Sequence, residues 1–185
     1  MPGLEERLYK REEIFNGKVL HMVKDTVILP NGALSEREIC LHGGAVAVIP
    51  LTDDFKVIME RQYRYAHGRV FFEIPAGKLD SPEEDHLEAA IRELREETGA
   101  TAGKITYLGC IDTSPALLSE KIDLYLAREL DFGERELDED EFIDLEFVGI
   151  KELYDMVMKG DIKDAKTQIA ILKTYEILRR EGKIV

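Results

Sequence analysis

The order of helix and strand patterns along the chain constrains the fold more than any other feature of the sequence. The clearest helix pattern runs from about residue 83 to Thr98 and stops at Gly99, a residue type that commonly follows a helix. Strand patterns lie on both sides of this helix, over 45–51, 55–61, 70–74, 104–111, 121–128 and 142–148. Two further helices are expected at the end of the chain. Because strict alternation of strand and helix is absent, the pattern predicts a mixed α/β domain rather than a doubly wound parallel sheet.

Antiparallel strands are also expected near the N-terminus. Residues 17–42 carry apolar positions such as Val19, Val27 and Ile39 around a turn at Pro30-Asn31-Gly32. The 185 residues suffice for one ordinary domain and are too few for two domains with full cores. We therefore expect a β segment over residues 1–42 ahead of a main domain over residues 43–185.

Acidic charge is concentrated in two short segments. The formal net charge is −13, and residues 83–97 hold seven acids and two bases, while residues 129–146 hold ten acids and one base. Binding to nucleic acid or to anionic membranes needs clustered Lys and Arg, so this distribution disfavours both. A small anionic substrate remains compatible with the charge, since metal ions can bridge two negative partners.

The sequence is typical of a cytoplasmic protein. Its N-terminal residues lack the apolar stretch of a signal peptide. The longest apolar run, over residues 45–51, is far shorter than the ~18 residues of a membrane span. Cys40 and Cys110 are the two cysteines, without a CxxC pair, and we expect both to be reduced core residues.

Two glutamates of the central helix are candidates for metal binding. The apolar stripe of this helix is expected to contain Leu87, Ala90, Ile91 and Leu94. Glu93 and Glu97 lie one turn apart beside that stripe, with no base placed along the helix to pair them, so a divalent cation would relieve their repulsion.

The alternative interpretation is an ordinary solvated helix face. Ion pairs of Arg92 with Glu88 and with Glu96 would then add a few tenths of a kcal/mol each, roughly, to helix stability. We favour that interpretation for Glu88.

An acidic loop offers two more carboxylates. Glu139 and Glu141 are two residues apart, which directs both side chains to the same side of an extended segment. The loop is either a solvated acidic turn or part of a metal site shared with the central helix.

The segment from Gly77 to Gly99 resembles the Nudix box. The stretch Arg92-Glu93-Leu94-Arg95-Glu96-Glu97-Thr98-Gly99 matches its second half in register, and Glu84 stands eight residues before Arg92. Six residues separate Gly77 from Glu84 where the family pattern has five, and Ala100 replaces a larger aliphatic residue. Either Glu83 or Glu84 then corresponds to the first glutamate of the box.

This resemblance implies a Nudix-type α/β/α sandwich with a mixed sheet and an N-terminal antiparallel strand segment. It implies that Glu93 and Glu97 bind Mg²⁺, with Mn²⁺ as a substitute. It also implies that Arg92 orients a neighbouring glutamate and that Glu96 belongs to the catalytic set as a further candidate ligand.

Residues outside the box resemble the ADP-ribose pyrophosphatase subgroup of that family, over most of residues 43–175. The resemblance rests on Arg61-Gln62-Tyr63-Arg64-Tyr65, Glu73-Ile74-Pro75-Ala76-Gly77, Thr113-Ser114-Pro115 with Glu120 after it, and Asp138-Glu139-Asp140-Glu141. Ala116 replaces a glycine that is usual after Ser-Pro.

The subgroup implies a role for each matching residue. The Ala76 carbonyl and Glu141 complete the metal shell, and Glu139 is the general base on the attacking water. Arg64 and, with less support, Arg61 contact substrate phosphate, and Glu120 lies near the terminal ribose.

The implied function is metal-dependent hydrolysis of the pyrophosphate bond of ADP-ribose to AMP and ribose 5-phosphate. The alternatives are a related enzyme acting on another nucleoside diphosphate derivative, such as a sugar nucleotide or NADH, and a nucleotide-binding sensor without catalysis. The subgroup also implies a homodimer whose N-terminal strands, here within residues 1–42, are exchanged between protomers.

Overall fold

The computed structural model describes residues 3–81, 83–137 and 141–184. The strands of these residues are β1 (Arg7–Asn16), β2 (His21–Ile28), β3 (Leu34–Leu41), β4 (Ala45–Pro50), β5 (Lys56–Arg64), β6 (Arg69–Glu73), β7 (Ala76–Lys78), β8 (Ala100–Asp112), β9 (Lys121–Phe132) and β10 (Ile143–Gly149). The helices are α1 (His86–Thr98), α2 (Ile150–Lys159) and α3 (Ala165–Arg180), with a 3₁₀ turn at Tyr65–His67. Each strand pattern predicted around the central helix corresponds to one of these strands.

A mixed sheet in the order β7-β4-β9-β8 forms the centre of the larger unit, which contains residues 45–111 and 122–184. Strand β4 is apolar and buried along its whole length, so both of its faces need cover. Val46 and Val48 pack with α1 on one face, whereas Ala47 and Ile49 join the core formed with α2 and α3 on the other. The predicted α/β/α sandwich with a mixed sheet is confirmed.

A second sheet, β10-β5-β6, carries charged residues towards the same core. Strands β5 and β6 pair antiparallel, and their register sets Glu60 opposite Glu73. Residues 57–59 of β5 are fully buried, and Glu60, the next residue, remains 3% exposed. Two carboxylates are therefore held face to face where little water reaches them.

Helix α1 begins at His86, three residues after the predicted start at about residue 83. The Asp85 side chain accepts the N–H groups of Leu87 (2.9 Å) and Glu88 (3.1 Å), which makes Asp85 the N-terminal cap. The predicted end is confirmed, since Gly99 follows in the left-handed region with φ 72°.

The smaller unit consists of residues 3–44 and 112–121, and its sheet has the order β1-β2-β3 with antiparallel pairing. The predicted antiparallel strand segment is confirmed, but its first strand, β1, was missed because its ten residues lack apolar alternation and all are exposed. Val19 was predicted to be a strand position and instead lies between β1 and β2, 56% exposed. The domain boundary at residue 42 stays a prediction.

The prediction that both cysteines are core residues is wrong, because Cys110 is exposed and Cys40 is only half-buried. Cys110 lies near the end of the long strand β8, at an exposed position. Among the described residues, no helix is both long enough and apolar enough to cross a membrane.

Candidate active site

The packing of α1 buries two of its glutamates. Ala89, Ala90 and Leu94 are 0–1% exposed and pack against the β4 sheet. Glu93 and Glu97 share that side of the helix and are 9% and 3% exposed. A carboxylate pair one turn apart is therefore held out of solvent, where like charges repel more strongly than they do in water.

The predicted apolar stripe of α1 is only partly right. Leu87 and Ile91 are 41% and 37% exposed, so they do not belong to the buried face. Ala89 is fully buried instead, so the buried face contains Ala89, Glu93 and Glu97 in place of Leu87 and Ile91.

Arg92 holds three carboxylates around one guanidinium. Its Nη1 donates to Glu93 Oε1 (2.7 Å) and Glu96 Oε2 (3.2 Å), and its Nε donates to Glu84 Oε1 (3.1 Å). The expectation that no base pairs with Glu93 is wrong, because it considered partners one helical turn away and not the adjacent residue. The predicted pair with Glu96 forms, and Arg92 is directed to Glu84 and Glu93 instead of Glu88.

Glu84, rather than Glu83, braces the loop before α1. One of its oxygens accepts from Arg92, and the other accepts the backbone N–H of Asp80 (2.6 Å). Arg92 Nη2 also donates to the carbonyl of Lys78 (3.3 Å). The loop with one extra residue is thus fastened to the helix through Glu84.

Residues Ala76 and Gly77 of strand β7 fit closely around both buried glutamates. The N–H of Ala76 donates to Glu97 Oε2 (2.9 Å). A Cβ added to Gly77 would lie 1.9 Å from Glu93 Oε1, so only glycine leaves room for this carboxylate. Strand β7 and helix α1 therefore form one cradle for the two carboxylates.

Burial and mutual repulsion raise the pKa values of the carboxylates in this region. Burial is the main cause that raises the pKa of Glu97 to about 10, and the charges of Glu60, Glu93 and Glu141 add to it. Burial and the charge of Glu73 raise the pKa of Glu60 to about 8. Burial also raises the pKa of Glu93, against the opposing effect of Arg92.

These shifts link folding stability to pH. The folded protein keeps protons on Glu60 and Glu97 at pH values above 4.5, where the unfolded chain has lost them. The free energy of unfolding therefore falls as pH rises from that value towards the raised pKa values, by at most about 1.4 kcal/mol per pH unit for each group.

The carboxylates fit a hard divalent cation. Glu60 Oε1 is buried and has no hydrogen-bond partner among the described residues. Among the residues that the structure describes, no group of three or more His, Cys, Asp or Glu side chains is arranged to hold a metal ion. Mg²⁺ commonly uses one or two carboxylates and keeps several waters. Glu93 and Glu97 supply such a pair, and the other ligands would be backbone carbonyls and water.

Three other predicted site residues are glutamates outside helix α1. Glu141 acts electrostatically on Glu93 and Glu97, which places it near the pair. Glu139 lies outside the described residues. Glu120 belongs to the smaller unit, where it accepts a hydrogen bond from Thr113 Oγ1 (2.8 Å).

The two predicted phosphate-binding arginines point to opposite faces of β5, since they are three residues apart on a strand. Arg64 shares the face of Glu60 and binds Glu73 through Nε (2.7 Å) and Nη2 (3.2 Å). Arg61 instead donates to Glu146 Oε2 (2.8 Å) and stacks over the ring of Phe72. Only Arg64 is brought to the carboxylate face.

Sequence reasoning gave no site role to three charged residues of this region, although Glu73 stands in one of the patterns that resemble the subgroup. Glu60, Glu73 and Lys166 are 3%, 3% and 9% exposed. A signal was present for the two glutamates, because each directly follows an apolar run within a strand. Lys166 carries no such signal, since it resembles any lysine near the start of a helix.

The fold and this site define the protein as an enzyme of the hydrolase class. The family model described as NUDIX domain matches residues 41–169, and the chain therefore belongs to the Nudix family.

Three similar proteins span nearly the whole chain. The ADP-ribose pyrophosphatase of Bacillus subtilis (strain 168) is 46% identical over 173 residues, which cover 92% of this chain and 93% of that protein. The methanol dehydrogenase activator of Bacillus methanolicus is 42% identical over 181 residues, with coverage of 96% and 97%. A crystal structure of an ADP compounds hydrolase matches 98% of both chains with a TM-score of 0.87 at 24% identity, which shows a shared fold.

Replacement of Gly77 by Ala tests the cradle. The added Cβ must displace the flexible end of Glu93, so we expect affinity for a divalent cation to fall about ten-fold or more while the melting temperature changes little. Gly43→Ala is the control, because nothing lies within 4 Å of its added Cβ. Calorimetric titration with Mg²⁺ or Mn²⁺ measures the effect, and equal affinities in the two variants would contradict the cradle.

Proposed function

We propose that this protein hydrolyses the pyrophosphate bond of ADP-ribose to AMP and ribose 5-phosphate. The observation that carries the proposal is the buried pair Glu93 and Glu97, held by Arg92 and by strand β7. The name of the Bacillus subtilis relative supports the choice of substrate. A cytoplasmic location is part of the same proposal.

We propose Mg²⁺ as the metal, bound by Glu93, Glu97, Glu141 and the carbonyl of Ala76. The raised pKa values of Glu93 and Glu97 support this assignment, since ionised carboxylates in a buried site need a positive partner. When bound, the metal neutralises diphosphate charge and lowers the pKa of a coordinated water.

Side chains of the protein then orient the metal ligands, the attacking water and the substrate phosphate. Arg92 fixes Glu93 and Glu96, and Glu84 keeps the loop of the box in place. Glu139 is the proposed base that removes a proton from the attacking water. Arg64 is the proposed phosphate contact. Its Nε and Nη2 donate to Glu73, so Nη1 is the nitrogen that we propose donates to a phosphate oxygen.

The reaction is tested by AMP release from ADP-ribose in the presence of Mg²⁺. We expect rapid release by the native protein and a loss of about 100-fold or more in Glu139→Gln, because the amide cannot accept the proton. Glu134→Gln is the matched control, since this residue is an exposed acid of the preceding loop.

One result would contradict the assignment of the base, and another would contradict the reaction itself. Undiminished release by Glu139→Gln would move the base to another group and keep the reaction. The absence of release by the native protein would reject ADP-ribose as substrate, and sugar nucleotides and dinucleotides would then be assayed.

We also propose a homodimer formed through the N-terminal sheet. All ten residues of β1 are exposed, and Leu8, Tyr9, Ile14 and Phe15 are each 54–65% exposed. Large apolar side chains exposed near both ends of one strand support an interaction site there.

Light scattering should accordingly give twice the 21.1 kDa mass of one chain. Ile14→Glu should shift the mass towards that of a monomer, because it places a charge in the proposed interface. Met158→Glu, at a 64% exposed apolar residue outside the N-terminal sheet, is the control. A monomeric native protein would reject the dimer.

A further inference from the structure

Lys166 is a buried cation in the first turn of α3. It is 9% exposed, and its Nζ lies 2.5 Å from Glu73 Oε2 and 3.1 Å from Asp164 Oδ2. Lysines are almost never fully buried unless they are paired. The two ion pairs give the Lys166 ammonium group a defined position. Its effect on the site therefore depends on Glu73 and Asp164, the residues that it binds.

Glu73 connects Lys166 to Arg64. Its Oε1 accepts from Arg64 Nε at 2.7 Å, and its Oε2 accepts from Lys166 Nζ at 2.5 Å. The side chain of Glu73 is 4% exposed, whereas that of Arg64 is 41% exposed. The Glu73 carboxylate is thus bound by the buried Lys166 and by the partly exposed Arg64 guanidinium.

Glu73 needs more than one positive partner. It stands opposite Glu60 across β5 and β6, and two ionised carboxylates in directly opposed strand positions would repel each other. Burial alone would raise the pKa of Glu73, but the hydrogen bonds and charges of Arg64 and Lys166 outweigh burial and hold this pKa below its ordinary value. Loss of Lys166 would leave Arg64 as the one cation bound directly to Glu73 among the described residues.

The first turn of α3 is itself fastened to the end of β6. Asp164 Oδ2 accepts from the N–H (2.9 Å) and the hydroxyl (2.6 Å) of Thr167. Thr167 Oγ1 in turn accepts the N–H of Ile74 (3.0 Å), the residue after Glu73. These bonds fix the backbone from which Lys166 reaches Glu73.

We propose that Lys166 is a positioning residue for the reaction, acting through Glu73 to set the orientation of Arg64 towards substrate phosphate. The inference rests on the proposed function, in which Arg64 contacts that phosphate. Lys166 itself does not touch the substrate, so its effect depends on the presence of Arg64.

A double-mutant cycle tests this dependence. The constants kcat and KM for ADP-ribose are measured with Mg²⁺ for the native protein, Lys166→Met, Arg64→Ala and the double variant. We expect Lys166→Met to raise KM about ten-fold with kcat changed by less than about three-fold. In the Arg64→Ala background the same substitution should lower kcat/KM by less than about two-fold.

Two further variants separate positioning from a structural effect. Lys166→Arg keeps a positive partner for Glu73 and should restore most of the native KM. Lys163→Met removes an exposed lysine of the preceding loop, whose Nζ donates to the Gly160 carbonyl, and should leave both constants unchanged. If Lys166→Met does not unfold cooperatively, Lys166→Gln, which keeps a donor, takes its place with the same criteria.

The outcomes distinguish the inference from the proposed function. An equal loss in both backgrounds, or no loss in either, overturns the role of Lys166 while the hydrolysis stands. An Arg64→Ala variant with native constants overturns it as well. A native protein that releases no AMP overturns the proposed function together with the inference.

Discussion

Repulsion between buried carboxylates is the interaction on which the rest of this site depends. Glu60, Glu73, Glu93 and Glu97 are all less than about a tenth exposed. Glu73 is neutralised by Arg64 and Lys166, and Glu93 is paired with Arg92. The pKa values of Glu60 and Glu97 remain strongly raised, to about 8 and about 10. A bound cation would lower these pKa values, and this is the physical basis of the proposed metal site.

The fold holds these carboxylates together at the expense of stability. Helix α1 is fixed by Ala90 and Leu94 against β4, and the register of β5 with β6 brings Glu60 opposite Glu73. Each contact is set by apolar packing or by backbone pairing, so the acids cannot separate without disrupting the core. Such a destabilising arrangement is common at functional sites, where perturbed pKa values cluster.

The sequence predicted those parts of the site that lie on a single element. The spacing of Glu93 and Glu97 required only the periodicity of one helix, whereas the role of Arg92 beside Glu93 came from the resemblance to the Nudix box. Glu60, Glu73 and Lys166 were missed because their meeting depends on strand register and on the placement of α3, which are tertiary features. Strand β1 was missed for another reason, since a fully exposed strand has no apolar alternation to detect. The role of Glu84 in the loop also became evident only from its contacts with Arg92 and Asp80.

We propose above all that Glu97, in its ionised form, is a ligand of the bound cation. Calorimetric measurement of Mg²⁺ affinity at pH 6 and pH 8 tests this most directly. Because bound metal requires the ionised carboxylate, the account predicts that native affinity rises with pH, by up to about ten-fold per pH unit. Glu97→Gln should bind at least about ten-fold more weakly and with less dependence on pH, because no proton has to leave residue 97. Glu88→Gln, on the exposed side of the same helix, should match the native protein. Native-like Mg²⁺ affinity in Glu97→Gln at both pH values would contradict the account.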